Sequence, residues 1–326
     1  MTGSDSICIK ILSSREDKMF KIILIIAIIL ILTILLISAF LFLVTMCGFF
    51  KIPISALVEE SILANLKDME AELMSYPMEE VSITSFDGYR LVGHYIPVED
   101  AKRTVILVHG WRSTWCVDFA HIAIWLHSVN CNLLMIEQRA QGSSGGKYIT
   151  FGINEKKDIL GWISYLKNNN MLYGLPLYLW GGSMGAATVL MDSALISPDD
   201  ITAVIADSAY SSIYDEFAFV GGKMHLPVHP IIDIIWLLSR IFIHIDIKKD
   251  GSVTDAVSTA RVPILFIHGE ADDFVPCKLG LKNYEACTGE KQLELFPDAK
   301  HVQGFASDKP RYTDMILNYF ESAEYF

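Results

Sequence analysis

The stretch Leu175-Pro176-Leu177-Tyr178-Leu179-Trp180-Gly181-Gly182-Ser183-Met184-Gly185-Ala186-Ala187 decides how the chain folds. Its first part, Leu175–Trp180, is a short run of bulky apolar residues that reads as a buried strand. Its continuation, Ala186–Leu195, is alanine-rich and has helical spacing. Between them stands G-x-S-x-G, with Ser183 at its centre. On its own the pentad could be a glycine-rich turn carrying an inert serine. Placed between a strand and a helix it reads as a nucleophile elbow. There the tight turn holds the serine in a strained conformation. Gly181 and Gly185 leave no side chain where strand and helix crowd. The N–H groups at the helix start favour developing negative charge.

Working outward, strands come first and then alternate with helices. Val81–Ser85 and Arg90–Pro97 flank Asp87-Gly88, a hairpin signal. Thr104–Val108, Cys131–Ile136, Ile201–Ala206, Pro263–Ile267 and Gln292–Phe296 are further strands. Trp115–Val129, Glu155–Leu166, Lys278–Ala286 and Arg311–Glu324 are helices. With Leu175–Trp180 this makes an α/β fold: a mostly parallel, eight-stranded sheet with helices on both faces. Reactive groups then belong at the carboxyl ends of the strands.

Serine is a weak nucleophile at neutral pH unless a base takes its proton. Two later segments supply partners in the order serine, acid, histidine. After Pro263–Ile267 comes His268-Gly269-Glu270-Ala271-Asp272-Asp273, and after Gln292–Phe296 comes Pro297-Asp298-Ala299-Lys300-His301. His301 is the expected base and Asp272 the expected acid that orients it. Asp273 is the rival acid, and Asp207 at the end of Ile201–Ala206 a weaker one. The main-chain N–H groups of Met184 and of Trp111, in His109-Gly110-Trp111, are expected to bind the oxyanion. His109 and His268 each precede a glycine at a strand end and read as shaping those turns.

These residues resemble the α/β-hydrolase superfamily, and more narrowly its bacterial membrane-anchored esterase/lipase and serine aminopeptidase-like members. The likeness runs over about residues 79–326 and includes Glu137-Gln138-Arg139-Ala140-Gln141-Gly142-Ser143-Ser144-Gly145, similar to that branch's D-x-R-G-x-G-x-S loop. Glu137 stands where the branch has Asp, Ala140-Gln141 where it has Gly-His, and Lys300 where it has Gly before the late histidine. The resemblance implies a serine hydrolase acting through an acyl-enzyme, with no metal or organic cofactor. It also implies that the insertion at about 211–260 is a helical cap over the site.

Of the 326 residues 52% are apolar, and the excess is concentrated in Ile22–Met46, where 22 of 25 are apolar. As a helix that run spans about 37 Å, enough for the roughly 30 Å hydrocarbon core and too long for a signal-peptide core. Val44-Thr45-Met46-Cys47 resembles a lipoprotein cleavage box only faintly, since Met46 is large. Four basic residues precede the run and only Lys51 follows within fifteen residues. The division expected is a cytosolic tail at 1–21, a transmembrane signal anchor at 22–46, an amphipathic linker helix within 47–78 and an extracytoplasmic hydrolase domain at 79–326. The net charge is −12, and the residues after the anchor carry −13 of charge against +1 before it, a poor match for nucleic acid or anionic headgroups. None of the six cysteines forms a C-x-x-C pair, and they read as mostly free and buried.

Inside the cap, Ile231–Ile245 has only Asp233, Ser239, Arg240 and His244 as polar residues. As one helix it would line up Asp233, Arg240 and His244 and measure about 22 Å, short for a membrane crossing. Such an apolar cap suits a small or lipid-like carboxylic ester with a hydrophobic acyl group. An amide-cleaving peptidase uses the same triad, and a membrane-tethered binding protein is the non-catalytic alternative. A histidine base implies activity that falls on acidification near the ordinary histidine value of about 6.5.

Overall fold

The computed structural model describes residues 3–49 and 60–324, with side chains from Lys18 to Phe49 and from Asn65 to Glu324. In chain order the helices are α1 (Gly3–Met46), α2 (Glu60–Met74), α3 (Trp115–Ser128), α4 (Glu155–Asn168), α5 (Met184–Asp192), α6 (Ile213–Lys223), α7 (Val228–Leu238), α8 (Val253–Val257), α9 (Cys277–Ala286), α10 (Gly304–Ser307) and α11 (Lys309–Ala323). The strands are β1 (Glu79–Thr84), β2 (Arg90–Ile96), β3 (Arg103–Val108), β4 (Cys131–Ile136), β5 (Leu177–Gly182), β6 (Ala203–Asp207), β7 (Ile264–Gly269) and β8 (Lys291–Phe296).

The eight strands form one sheet in the order β1-β2-β4-β3-β5-β6-β7-β8. The β1–β2 hairpin and the β2–β4 pair are antiparallel, and every pair from β4 to β8 is parallel. The six residues of β3 and of β4 are all buried, as strands covered on both faces must be. Alternation along each strand divides the core in two. Ile106, Val108, Leu134 and Leu179 face α4, α5 and α9. Val105, Leu107, Leu133, Met135, Tyr178 and Trp180 face α3 and α11. Burying such side chains stabilises the fold by roughly 1.5–3 kcal/mol each.

The chain runs from β3 to β4 on one side and then returns to place β5 on the other side of β3. The reversal opens a crevice at the carboxyl ends of β3 and β5, the place where open α/β sheets bind ligands. Val108 and Gly181 are register partners there.

Elements between β6 and β7 form the insertion, and here the structure departs from a single apolar helix. Helix α7 stops at Leu238, Ser239–Ile243 form a π-helical turn, and His244 takes a left-handed conformation (φ 62°). The Ser239 hydroxyl donates to Ile235 O (2.8 Å), and the turn breaks the polar line from Asp233 to His244. Residues 50–59 lie outside those described, and α2 carries buried Leu66 and Leu73 into the core facing α3. Helix α1 is continuous from Gly3, so residues 3–21 ahead of the apolar run are helical. Among the described residues it is the one helix long and apolar enough to cross a membrane, over Lys18–Met46. The described cysteines 47, 116, 131, 277 and 287 are all unbridged.

Candidate active site

Strand β5 delivers Ser183 to the crevice in a conformation that ordinary residues avoid, φ 55° and ψ −119°. Packing enforces it. A Cβ at Gly185 would lie 1.9 Å from Val108 O, and one at Gly181 would lie 2.3 Å from the Gly185 carbonyl carbon. Only glycine at both positions lets α5 begin directly against the end of β3. The Ser183 N–H donates to Asp207 O (2.9 Å), which ties the turn to β6.

Asp272 and His301 arrive from the loops after β7 and β8. The Ser183 hydroxyl lies 2.8 Å from His301 Nε2, and His301 Nδ1 lies 2.7 Å from Asp272 Oδ2. A carboxylate can only accept, so Nδ1 carries the hydrogen and Nε2 is left to accept from the serine. The Asp272 side chain is fully buried, and its other oxygen accepts the N–H groups of Phe274 (2.9 Å) and Val275 (2.8 Å). Burial pushes the Asp272 pKa up, but hydrogen bonds with His268 and His301 outweigh it and hold the carboxyl well below the usual range. Asp272 therefore stays anionic beside the imidazole.

The rival acids sit elsewhere. Asp273 is exposed and pairs with Lys223 at 3.4 Å. Asp207 is buried and accepts from the hydroxyls of Tyr312 (2.8 Å) and Ser208 (3.0 Å). His268 and His109 serve the scaffold. His268 Nε2 donates to Val275 O (2.9 Å) and lies 3.4 Å from Asp272 Oδ2, bracing the acid loop. His109 Nδ1 donates to Gly110 O (2.8 Å), while its Nε2 accepts the Gln138 N–H (3.1 Å).

Gly110 brings the β3 loop against the elbow, where an added Cβ would stand 3.2 Å from the Ser183 Cβ. The main-chain N–H groups of Trp111 and Met184 have no backbone acceptor among the described residues. Both adjoin Ser183, Met184 as the next residue and Trp111 through Gly110.

Several residues that hold the site carry no local sequence signal. Asp118 of α3 accepts the Gly110 N–H (2.6 Å) and the Ser113 hydroxyl. Gln141 accepts the Arg112 N–H, so the departure from Gly-His in this loop ties it to the Trp111 loop. Ala140 takes φ 60°, the conformation that the branch's glycine would adopt without strain. The Trp111 indole donates to Thr45 O (2.9 Å), and the Arg112 guanidinium donates to Val44 O (2.6 Å) and Cys47 O (2.9 Å). These bonds satisfy carbonyls at the end of α1 and fasten that helix to the site.

Glu216 of α6 is the other residue without a motif. It is buried, and neither carboxylate oxygen has a hydrogen-bond partner among the described residues. Burial, with the Asp272 charge adding to it, pushes the pKa up to about 8. The folded state thus holds this proton more tightly than the unfolded chain, whose glutamate titrates near the ordinary 4.3. The stability linked to this group is full below that value and is lost as pH rises to about 8. Glu216→Gln is expected to raise Tm at pH 8 by on the order of 5 °C and to change it far less at pH 5. Thermal melts at the two pH values check this, and an equal shift at both would contradict it.

No family model matches the chain. It is 26% identical to the Bacillus subtilis protein YqkD over 247 residues, which covers 74% of this chain and 78% of that one. It is 22% identical over 258 residues to the Arabidopsis thaliana alpha/beta hydrolase domain-containing protein WAV2, covering 74% of this chain and 78% of the relative. Among solved structures, an esterase of Pyrococcus furiosus superposes with a TM-score of 0.64 at 23% identity, covering 78% of this chain and 93% of the other. The chain thus has the α/β-hydrolase fold over most of its length and is similar in sequence to an alpha/beta hydrolase domain-containing protein.

Proposed function

We propose that the protein is a membrane-anchored serine hydrolase that cleaves carboxylic esters with a hydrophobic acyl group. The observation that carries this reading is the relay in which His301 bridges Ser183 and Asp272 at 2.8 and 2.7 Å. Hydrolase activity in general is supported by the esterase and hydrolase relatives.

Ser183 Oγ attacks the ester carbonyl while its proton passes to His301 Nε2. The carbonyl oxygen becomes an oxyanion held by the N–H groups of Met184 and Trp111, where each donor contributes roughly 3–4 kcal/mol to the transition state. Asp272 keeps the imidazole in the required tautomer and stabilises its cation. The tetrahedral intermediate collapses, and His301 gives its proton to the departing alcohol. Water then attacks the acyl-enzyme with His301 as base, releasing the acid and restoring Ser183.

The preference for an apolar acyl group is supported by a row of rings leading from the oxyanion loop to the cap. Trp111 and Phe151 have ring centroids 6.4 Å apart, and Phe151 meets Phe217 of α6 edge-on at 5.0 Å. The Phe274 ring lies 5.0 Å from the His301 ring. Each methylene that such a wall covers is worth about 0.8 kcal/mol, or roughly a fourfold gain. Across nitrophenyl esters from two to ten acyl carbons, kcat/KM is expected to climb until the wall is filled. A flat profile would remove the acyl preference. Aminoacyl amides cleaved as fast as the esters would replace the ester by an amide as the substrate. The anchor is α1, with the N-terminus cytosolic and the domain outside, a reading supported by its length, its apolarity and the basic residues before it.

A further inference from the structure

Helix α1 changes character along its length. From Lys18 to Thr33 every side chain is exposed. From Ile34 onward one face is covered by the folded domain, through Ile34, Ile37, Ser38, Leu41, Phe42 and Met46. The element alongside is the cap. Helix α7 packs against α1, the Ser239 hydroxyl lies 3.2 Å from Met46 Sδ, and the Phe42 and Phe242 ring centroids are 6.3 Å apart.

This packing sets a length problem. The stretch clear of the domain, Met19–Thr33, is apolar except for Lys21, whose long stem reaches toward the headgroups, and Thr33; its 15 residues span about 22 Å as a helix, against a hydrocarbon core of about 30 Å. About 8 Å is missing. Thinning the bilayer by that much would cost a few kcal/mol at fractions of a kcal/mol per Å. The alternative draws the next turns of α1 into the hydrocarbon, and those turns keep an exposed apolar face at Leu35, Leu36 and Phe40. The cap must then follow, because it is packed on the other side of the same turns.

The cap is built for that position. Leu237, Ile241 and Phe242 are exposed at 50%, 53% and 57%, next to α1. Moving the exposed half of three such side chains into lipid gains roughly 1 kcal/mol each, about half of what full burial gives, and it also removes the cost of thinning, so insertion wins. Behind them Arg240 and Lys248 lie over the Trp236 ring, at 5.2 and 4.5 Å from its centre. A tryptophan flanked by cations suits the headgroup level, where long basic side chains reach water. The three cations Arg240, Lys248 and Lys249 are matched by Asp233, Asp246 and Asp250, so apolar contact drives the association and anionic lipid is not needed.

We infer that Leu237, Ile241 and Phe242 form a second membrane contact, seated in the outer leaflet beside α1. The missing 8 Å falls within the roughly 5–10 Å to which interfacial elements sink. The hydrolase domain is then partly embedded, and the loop of Trp111, bonded to Thr45 O of α1, stands at the bilayer surface. The inference rests on α1 being the membrane anchor.

Lipid-borne quenching tests it on the full-length protein in phosphatidylcholine vesicles. Cys8 and Cys277 are first replaced by serine. Single cysteines are then introduced as Ile241→Cys, Phe242→Cys, Ile28→Cys and Tyr173→Cys, and labelled with a nitrobenzoxadiazole dye. All four are surface positions, and circular dichroism of each labelled protein checks its fold. Ile28 reports the anchor. Tyr173 is 82% exposed before the amino end of β5, across the sheet from Ser183. Doxyl-labelled lipid is expected to lower emission by about twofold or more at 28, 241 and 242, and to leave 173 unchanged. Quenching at 28 with 241 and 242 behaving like 173 would overturn the membrane contact alone. No quenching at 28 would overturn the anchor, and the contact with it.

Discussion

Ser183→Ala is expected to lower kcat for ester hydrolysis by on the order of a million-fold, with the protein still folded. The size follows from the way the relay acts as a unit. His301 Nε2 accepts from Ser183 Oγ at 2.8 Å, and without that oxygen neither the base nor the acid behind it has anything to activate. The rate left over is that of water attacking a carbonyl polarised by the Met184 and Trp111 N–H groups, some 10³–10⁴ above the uncatalysed reaction. Folding is insensitive to the change because the strain of the elbow belongs to its backbone. Gly181 and Gly185 remain, and so does the bond from the residue 183 N–H to Asp207 O. Steady-state kinetics beside a thermal melt separate loss of chemistry from loss of fold. A variant that keeps more than a hundredth of the wild-type kcat would remove Ser183 as the nucleophile.

The second large effect separates two neighbouring aspartates. Asp272→Asn is expected to cost about 10⁴ in kcat. The amide offers hydrogens toward His301 Nδ1, which must then become an acceptor. The remaining hydrogen moves to Nε2, where it faces the serine and blocks proton transfer. The amide is also a poor acceptor set for the place it occupies, since Asp272 takes the N–H groups of Phe274 and Val275 on one oxygen and His301 on the other. Asp273→Asn, one residue along, is expected to change kcat less than about twofold, because an exposed pair such as that with Lys223 contributes little. Measured side by side, the two variants test the acid directly. Equal losses, or the larger loss at Asp273, would contradict the assignment.

Most of the architecture was legible because its signals are local. Strands such as Val105–Val108 and Leu133–Ile136 are runs of residues buried on both faces, ended by polar or glycine residues at the site. The elbow was legible because two glycines at fixed spacing are a steric requirement of that turn. Asp272 and His301 could be found because each follows a strand whose carboxyl end must face the crevice.

The unreadable parts depend on distant segments meeting. Nothing around Thr45 announces that its carbonyl will accept the Trp111 indole, 66 residues away. An apolar run such as Ile22–Met46 does not reveal that one face of its second half is covered by the folded domain. Glu216 looks like an ordinary surface residue of an amphipathic helix until α6 buries it near Asp272. Ile231–Ile245 has a helical pattern throughout, and the break at Ser239 arises where the segment turns back against Met46. Asp273 stands beside the expected Asp272 as a rival in the sequence, and the loop geometry sends Asp272 to the histidine and Asp273 to solvent.

Labelling by a fluorophosphonate tests the central claim most directly, because it requires an activated serine and no knowledge of the substrate. Incubated with the folded protein, the probe is expected to add once per chain, with the adduct mapped by mass spectrometry to the peptide containing Ser183. The Ser183→Ala protein is expected to take up none. Labelling that persists in that variant, or a folded wild-type protein that takes up no probe, would contradict a serine hydrolase built on Ser183, His301 and Asp272.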